Sequence, residues 1–529
     1  MSKAFVNGRI FTAWEELADA DSFLTEDGTI QWIGRREEMP AFGGEVVDLG
    51  GRRVIPGLID AHMHPVILAD CAQKVSCLPP LVSSIEELIV ELRKKAEEKS
   101  AGEWIQGWGY DEEKFREHRA PNRWDLDKAS TEHPIELLRS CSHVRAVNSK
   151  ALELAGITRD TPDPVGGEIE RDENGEPTGI LRENARHLVG EILPAKSDEQ
   201  RVQELTNLGK QLSSQGIVAV MDMGNLESED FYDCYQRAAQ SGMQQEIGLF
   251  YIWDLIRKNK SFRWNKRRAD PEQQIHMSGI KLIADGSIGG RTAWMYQPYK
   301  GSTGEYGISV CTDEEIDSAM AFCKENGCQL SFHAMGMRTI DRVLDRVGDE
   351  KPWIKGMPHI RIEHTTDPSE NAIRVAASNG IAFCTQSIFL YSEIESYLNN
   401  LGLDWIKRIY PIQHILDSGV KTALSTDAPA TSWAVPSDPF PNIKCAVTRY
   451  AYDGTDCGRE NCISIETALA LYTREAAQIA GFRRLGQLRP GYKASFAVLS
   501  EDILQVPADR IDQVRVVETY INGNCVYHR

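Results

Sequence analysis

The chain has no long unbroken apolar run and no apolar stretch behind its N-terminus, Met1-Ser-Lys-Ala-Phe-Val-Asn-Gly8. Neither a membrane-spanning helix nor a secretory leader is therefore expected. It has no CxxC pair. Its 12 cysteines are scattered, which suits reduced thiols of a cytoplasmic protein better than a disulfide framework, and the neighbours Cys457 and Cys462 read as incidental. Positive charge is in short supply: 59 basic against 78 acidic residues leave a net charge of −19. Nucleic acid or an anionic membrane would be repelled at long range and neither is an expected partner; the charge does not identify the substrate, and a homodimer stays open. Low-complexity segments and repeat arrays are also missing.

What is present is a series of short apolar segments that mostly end in glycine or a polar residue. Counting the strand that ends at His64, there are eight: the others are 216–224, 247–253, 279–286, 329–336, 359–365, 381–387 and 421–429. Each is short enough for a strand rather than a helix. Val220 to Phe250 is 30 residues, and Phe250 to Lys281 and His333 to His364 are 31 each. That period is one strand plus one returning helix, the unit of a parallel sheet. Thr312 with Glu315 can form a capping box opening a helix that stops at Asn326-Gly327. Eight such units predict an α/β fold, a (β/α)8 TIM barrel over 56–69 and 206–480.

The rhythm is broken once. His62 to Val220 spans 158 residues, so an inserted lid or substrate subdomain is expected over 70–205, after the first strand. Ser84 and Glu87 suit a helix start there, and Asp172-Glu-Asn-Gly175 suits a hairpin. The strand-rich ends, 1–55 and 481–529, are each too short to bury a core, so together they are expected to form one small β-sandwich.

Successive strand residues alternate faces, so His62 and His64 project the same way, about 7 Å apart, with Asp60 one step deeper. Two neutral imidazoles at that spacing can grip a small cation. In a (β/α)8 barrel the reactive groups come from the C-terminal strand ends. Those ends carry Lys281 on strand four, His333 on five, His364 on six and Asp427 on eight. Singly, each has a bland explanation: a core histidine, a helix cap, an edge lysine. Six ligand-type residues on five strand ends of one barrel are hard to attribute to chance.

The stretches Pro56-Gly-Leu-Ile-Asp-Ala-His-Met-His64, Gly107-Trp-Gly-Tyr-Asp111, Ser142-His-Val-Arg-Ala-Val-Asn148 and 281–292 carry a family resemblance. So do Arg361-Ile-Glu-His364, Ser425-Thr-Asp-Ala-Pro429 and Leu488-Arg-Pro-Gly-Tyr-Lys493. The chain resembles the amidohydrolase superfamily, in particular its amidohydrolase-3 branch of N-substituted formamide deformylases and YtcJ-like proteins. That resemblance implies a site for two divalent metal ions, expected to be zinc. His62, His64 and Asp427 would hold one ion and His333 and His364 the other. Lys281 would bridge them after carboxylation by carbon dioxide, since an ammonium would repel two cations. One metal, or an unmodified lysine acting as a charge partner, stays open. Relatives usually carry an aspartate where Met337 stands, near the pocket mouth, and often one where Ser495 stands in the sandwich.

The function implied is hydrolysis of a small-molecule C–N bond, amide or formamide in type, by metal-activated hydroxide, with Asp427 as the proton carrier. Trp108, Asp111 and His143 of the insertion are expected to contact substrate. A deaminase or cyclic-amide hydrolase uses the same chemistry on another electrophile. A non-catalytic scaffold on the same fold would be expected to lose metal ligands that this sequence keeps.

Overall fold

The structure is a computed structural model and describes residues 2–140, 143–224 and 230–529. Eight parallel strands form one sheet whose spatial order follows the chain. They are β1 (Leu58–Met63), β2 (Ile217–Asp222), β3 (Glu246–Ile252), β4 (Ile275–Ile283), β5 (Gln329–Ala334), β6 (Ile360–His364), β7 (Ala382–Thr385) and β8 (Thr422–Leu424). The two ends of the ladder meet just past β8. There the Asp427 amide donates to the His62 carbonyl and the His64 amide to the Ala428 carbonyl, each at 2.8 Å. The expected (β/α)8 barrel is thus nearly closed at the end where the candidate ligands sit.

Strand limits differ from the sequence reading at β4 and β8. β4 begins four residues earlier than the apolar pattern suggested, because Ile275, His276 and Met277 are also buried. β8 keeps only three residues; beyond it the chain turns to bring Thr426 under Asp60 and Asp427 back to β1. Helix Asp313–Asn326 opens on the full Thr312–Glu315 capping box and closes at Gly327 in the left-handed region, where a Cβ would be costly.

One compact unit comprises Met1–Pro65, Leu205–Thr431 and Ser437–Arg529. Besides the barrel it contains a four-stranded sheet from the N-terminal 48 residues and a six-stranded sheet built from both chain ends. Phe5 and Phe23 stack at 4.8 Å, Phe496 and Tyr520 at 4.5 Å, and the two pairs meet edge to face. This aromatic cluster ties residues nearly 500 positions apart into one sandwich core, the joint β-sandwich read from the sequence.

The second unit is Val66–Glu204 with Ser432–Pro436. It has its own six-stranded sheet and its own apolar core around Leu88, Ile105, Leu126 and Leu137. Ser84 caps helix Ile85–Glu97 by accepting from the Glu87 amide, whereas the Glu87 carboxylate reaches back to Ser83 rather than to the cap itself. The expected hairpin joins Gly167–Arg171 to Pro177–Glu183, with Gly175 at φ +79° in the turn. Among the described residues no helix is long and apolar enough to cross a membrane, and the described cysteines form no disulfide.

Candidate metal centre

β1 delivers His62 and His64 side by side, with ring centroids 5.6 Å apart. Both direct Nε2 at the Asp427 carboxylate, each 3.3 Å from Oδ1. His364 lies 4.9 Å from the His62 ring and 4.3 Å from that of His333. The ligand atoms of His62, His364 and Asp427 lie within 4.8 Å of one another, close enough to hold one ion. Lys281, fully buried on β4, feels the charges of Glu363 and Asp427. All six ligand-type residues expected from the strand ends therefore converge.

Each histidine is oriented by an oxygen that can only accept. His62 Nδ1 lies 2.7 Å from the Glu363 carboxylate, His64 Nδ1 2.5 Å from the Gly224 carbonyl and His364 Nδ1 2.9 Å from the Gln386 side-chain oxygen. His333 differs, placing Nε2 2.9 Å from the Gly286 carbonyl. A nitrogen facing such an oxygen must carry the proton. The remaining nitrogen, the one that can offer a lone pair to a cation, is Nε2 on His62, His64 and His364 and Nδ1 on His333. Four imidazoles, each with its second nitrogen left for a cation, suit a borderline-soft divalent metal.

The supports for these acceptors were not legible in the sequence. Glu363 is wholly buried and takes Arg361 Nε at 2.5 Å and Nη2 at 3.0 Å, together with the Ser331 hydroxyl at 2.7 Å. Arg361, equally buried, also donates to the Ala61 carbonyl on β1 at 2.7 Å. Gln386 is fixed by donating to Ser425, and Gly224 by donating its amide to Asp222. Asp285 accepts the amides of Trp294, Met335 and Gly336, so one carboxylate pins the loops after β4 and β5 beside His333.

Glu363 and His364 are adjacent, yet both reach the centre, which strict alternation forbids. His364 has φ +71° and Thr365 +43°. The left-handed turn at the end of β6 swings the imidazole inward beside the carboxylate that precedes it. Asp427 is likewise left-handed at φ +56°. Such strained non-glycine backbone gathers at functional sites.

The electrostatics are divided. Burial pushes the His333 imidazole down to about 4 and that of His364 well below its usual value, so both are neutral. Burial also lowers the Lys281 ammonium to about 8, and its Nζ has no hydrogen-bond partner. For Asp427, burial works against ionisation, but His62 first and then His64, whose ring nitrogens face the carboxylate, outweigh it and hold the carboxyl well below the usual range. Its Oδ1 is buried without a hydrogen bond.

The three expected substrate residues belong to the second unit. Trp108 sits mid-strand in Ile105–Tyr110, where its carbonyl accepts from the Cys77 amide. Asp111 caps a short turn by accepting the Glu113 amide and also meets Arg139 at 3.4 Å. His143 is exposed and pairs through Nδ1 with Glu183 at 2.9 Å. Ser142, which opens that motif, lies outside the described residues. In the barrel unit, Met337 opens the helix Met337–Val347 after β5, and Ser495 accepts the Asn522 amide within the sandwich.

The chain matches the family described as "Amidohydrolase family" over residues 45–527. It is 28% identical to YtcJ of Bacillus subtilis, covering 100% of both chains. It is 26% identical to the N-substituted formamide deformylase of Arthrobacter pascens, covering 99% of this chain and 98% of that one. Among solved structures, an uncharacterized metal-dependent hydrolase of Pyrococcus horikoshii superposes with a TM-score of 0.74 at 25% identity, over 96% of this chain and 99% of the other.

Proposed function

The chain belongs to the amidohydrolase family, and from that premise we propose a metal-dependent hydrolase that breaks an amide- or formamide-type C–N bond in a small molecule. One observation carries the reading: four imidazoles, each with one nitrogen committed to an acceptor, gather at the buried Asp427 carboxylate, and the ligand atoms of His62, His364 and Asp427 lie within 4.8 Å of one another. That donor set fits divalent zinc, which favours neutral imidazole and carboxylate ligands. His62, His64 and Asp427 would hold one ion and His333 and His364 a second. The Lys281 amine would bridge them as a carbamate, formed when its nitrogen bonds to the carbon of carbon dioxide and releases a proton. When bound, the metal supplies Lewis acidity, lowering the pKa of water and polarising a carbonyl.

The chain's own groups do the rest. The neutral Lys281 amine, lacking a partner, is the form able to react with carbon dioxide. The ionised Asp427 carboxylate accepts a proton from the attacking water and returns it to the departing nitrogen, which would otherwise leave as a poor anion. Glu363, itself held by Arg361, keeps His62 in the tautomer that offers Nε2. Trp108, Asp111 and His143 of the second unit are proposed as substrate contacts, His143 as a donor to the carbonyl oxygen.

The relative from Arthrobacter pascens, named a formamide deformylase, suggests where to begin. The test is a turnover screen of the zinc-loaded protein on N-substituted formamides, longer N-acyl amides, cyclic amides and aminated heterocycles. Release of formate or another acid from the open-chain amides supports the reading. Turnover confined to cyclic amides or to ammonia release from heterocycles would replace it.

A further inference from the structure

A second chemically distinctive cavity lies at the other end of the barrel strands. It encloses about 830 Å³ and is lined by His276 and Met277 at the entry of β4, Gly327 and Cys328 before β5, and Ile354–Met357 before β6. The far wall is the end of helix Arg474–Ala480 and the loop after it. The N-terminal face of such barrels ordinarily serves stability, not binding, so a cavity of this size there needs an occupant or a reason. Its volume is in the range that holds a small organic ligand.

The lining has two characters. Trp264, Ile354, Met357 and Phe482 give it an apolar body. Gly481, at φ +80°, keeps Met357 close, because a Cβ there would stand 2.8 Å from the Met357 sulfur. Around this body the charge is unbalanced. Arg484 lies 2.7 Å and Arg483 3.7 Å from the same carboxylate, Glu272, so two cations share one anion. Lys355 also lines the cavity and has no ion pair among the described residues. Arg474 adds nothing to the excess, being matched by Glu15 and Glu475. This surplus stands in a chain with a net charge of −19.

We propose that this cavity binds a small organic anion with a flat apolar body, such as an aromatic carboxylate or phosphate ester. The ring would lie against Trp264, Met357 and Phe482, and the anionic head would meet Arg483, Arg484 and Lys355. Such a ligand compensates the excess guanidinium and ammonium charge, which an uncharged ligand cannot do. Ser278 and Lys281 share β4, so the occupant would rest against the far end of a strand that serves the metal centre. The inference does not depend on the reaction catalysed there.

The test uses the intact, metal-loaded protein and two fluorescent probes, 8-anilinonaphthalene-1-sulfonate and its uncharged relative N-phenyl-1-naphthylamine. The sulfonate should bind saturably, one per chain, and roughly tenfold more tightly than the neutral probe. The double variant R483E/R484E, altering two largely exposed side chains, should weaken the sulfonate roughly tenfold and leave the neutral probe unchanged. I354W, which narrows the apolar part of the cavity, should weaken binding of both while the circular dichroism spectrum stays native. Phenyl phosphate, benzoate or both should displace the sulfonate, and which one does so names the head group. Equal affinity for the two probes, an R483E/R484E protein that binds the sulfonate normally, or failure of both competitors would overturn the proposal.

Discussion

Asp427 and Glu363 are both buried carboxylates held in their ionised form, but they do different work. Asp427 faces imidazole nitrogens with a free oxygen, whereas every contact of Glu363 holds something else in place. Asp427→Asn keeps the size and removes the proton acceptor, so kcat/KM should fall by roughly a thousandfold or more, within the range a positioned acid–base group supplies. The thermal unfolding midpoint should stay near the parent value; an active Asn variant would remove Asp427 from the proton path. Glu363→Gln should act first on stability. It leaves the Arg361 guanidinium buried without its counter-charge, which costs about 3–5 kcal/mol when one member of such a pair is removed. Urea denaturation measures this, and an unchanged midpoint would mean that Arg361 is not neutralised by Glu363.

The elements show what could be read in advance and what could not. The 30-residue period and the polar residues at strand ends placed His62, His64, Lys281, His333, His364 and Asp427 in one barrel, because a parallel barrel gathers every strand end on one face. The acceptors that fix each imidazole were hidden. They come from β6 and from the segments just after β2, β4 and β7, and pairing across strands leaves no mark at fixed sequence spacing. Glu363 is the clearest case: alternation sets it opposite His364, and only the left-handed residue at the strand end returns both to the same side. β4 starts before its apolar segment because the polar His276 is buried within it between Ile275 and Met277.

That histidine has a consequence for stability. Burial, aided by the positive charge of Lys493, lowers its imidazole to about 4 from the usual 6.5. The unfolded chain therefore takes up a proton at higher pH than the folded one. Above about 6.5 both states are neutral and His276 is indifferent; as pH falls from there toward 4, the folded state loses ground. His276→Gln should flatten the decline in unfolding free energy between pH 6.5 and 4 relative to the parent protein. An identical pH profile for the two proteins would show that the imidazole is not excluded from water.

At the scale of the whole molecule, both chain ends fold into one sandwich whose β-sheets flank the strand entering the barrel: Arg53–Pro56 pairs with Phe496–Leu499 two residues before β1 begins. The strand that carries His62 is thus anchored at its root by the far end of the chain, while its tip is closed by the segment carrying Asp427. Such a frame holds the six donors with little freedom left for a cation to organise on arrival, the preorganisation a metal-activated hydrolase requires. The central claim is that these donors bind metal, and elemental analysis by plasma mass spectrometry tests it most directly. Protein expressed with added zinc and freed of loosely held ions should carry two ions per chain, and the double variant H62A/H64A should carry at most one. A parent protein that retains no divalent metal, or a double variant that retains the full parent content, would contradict the account.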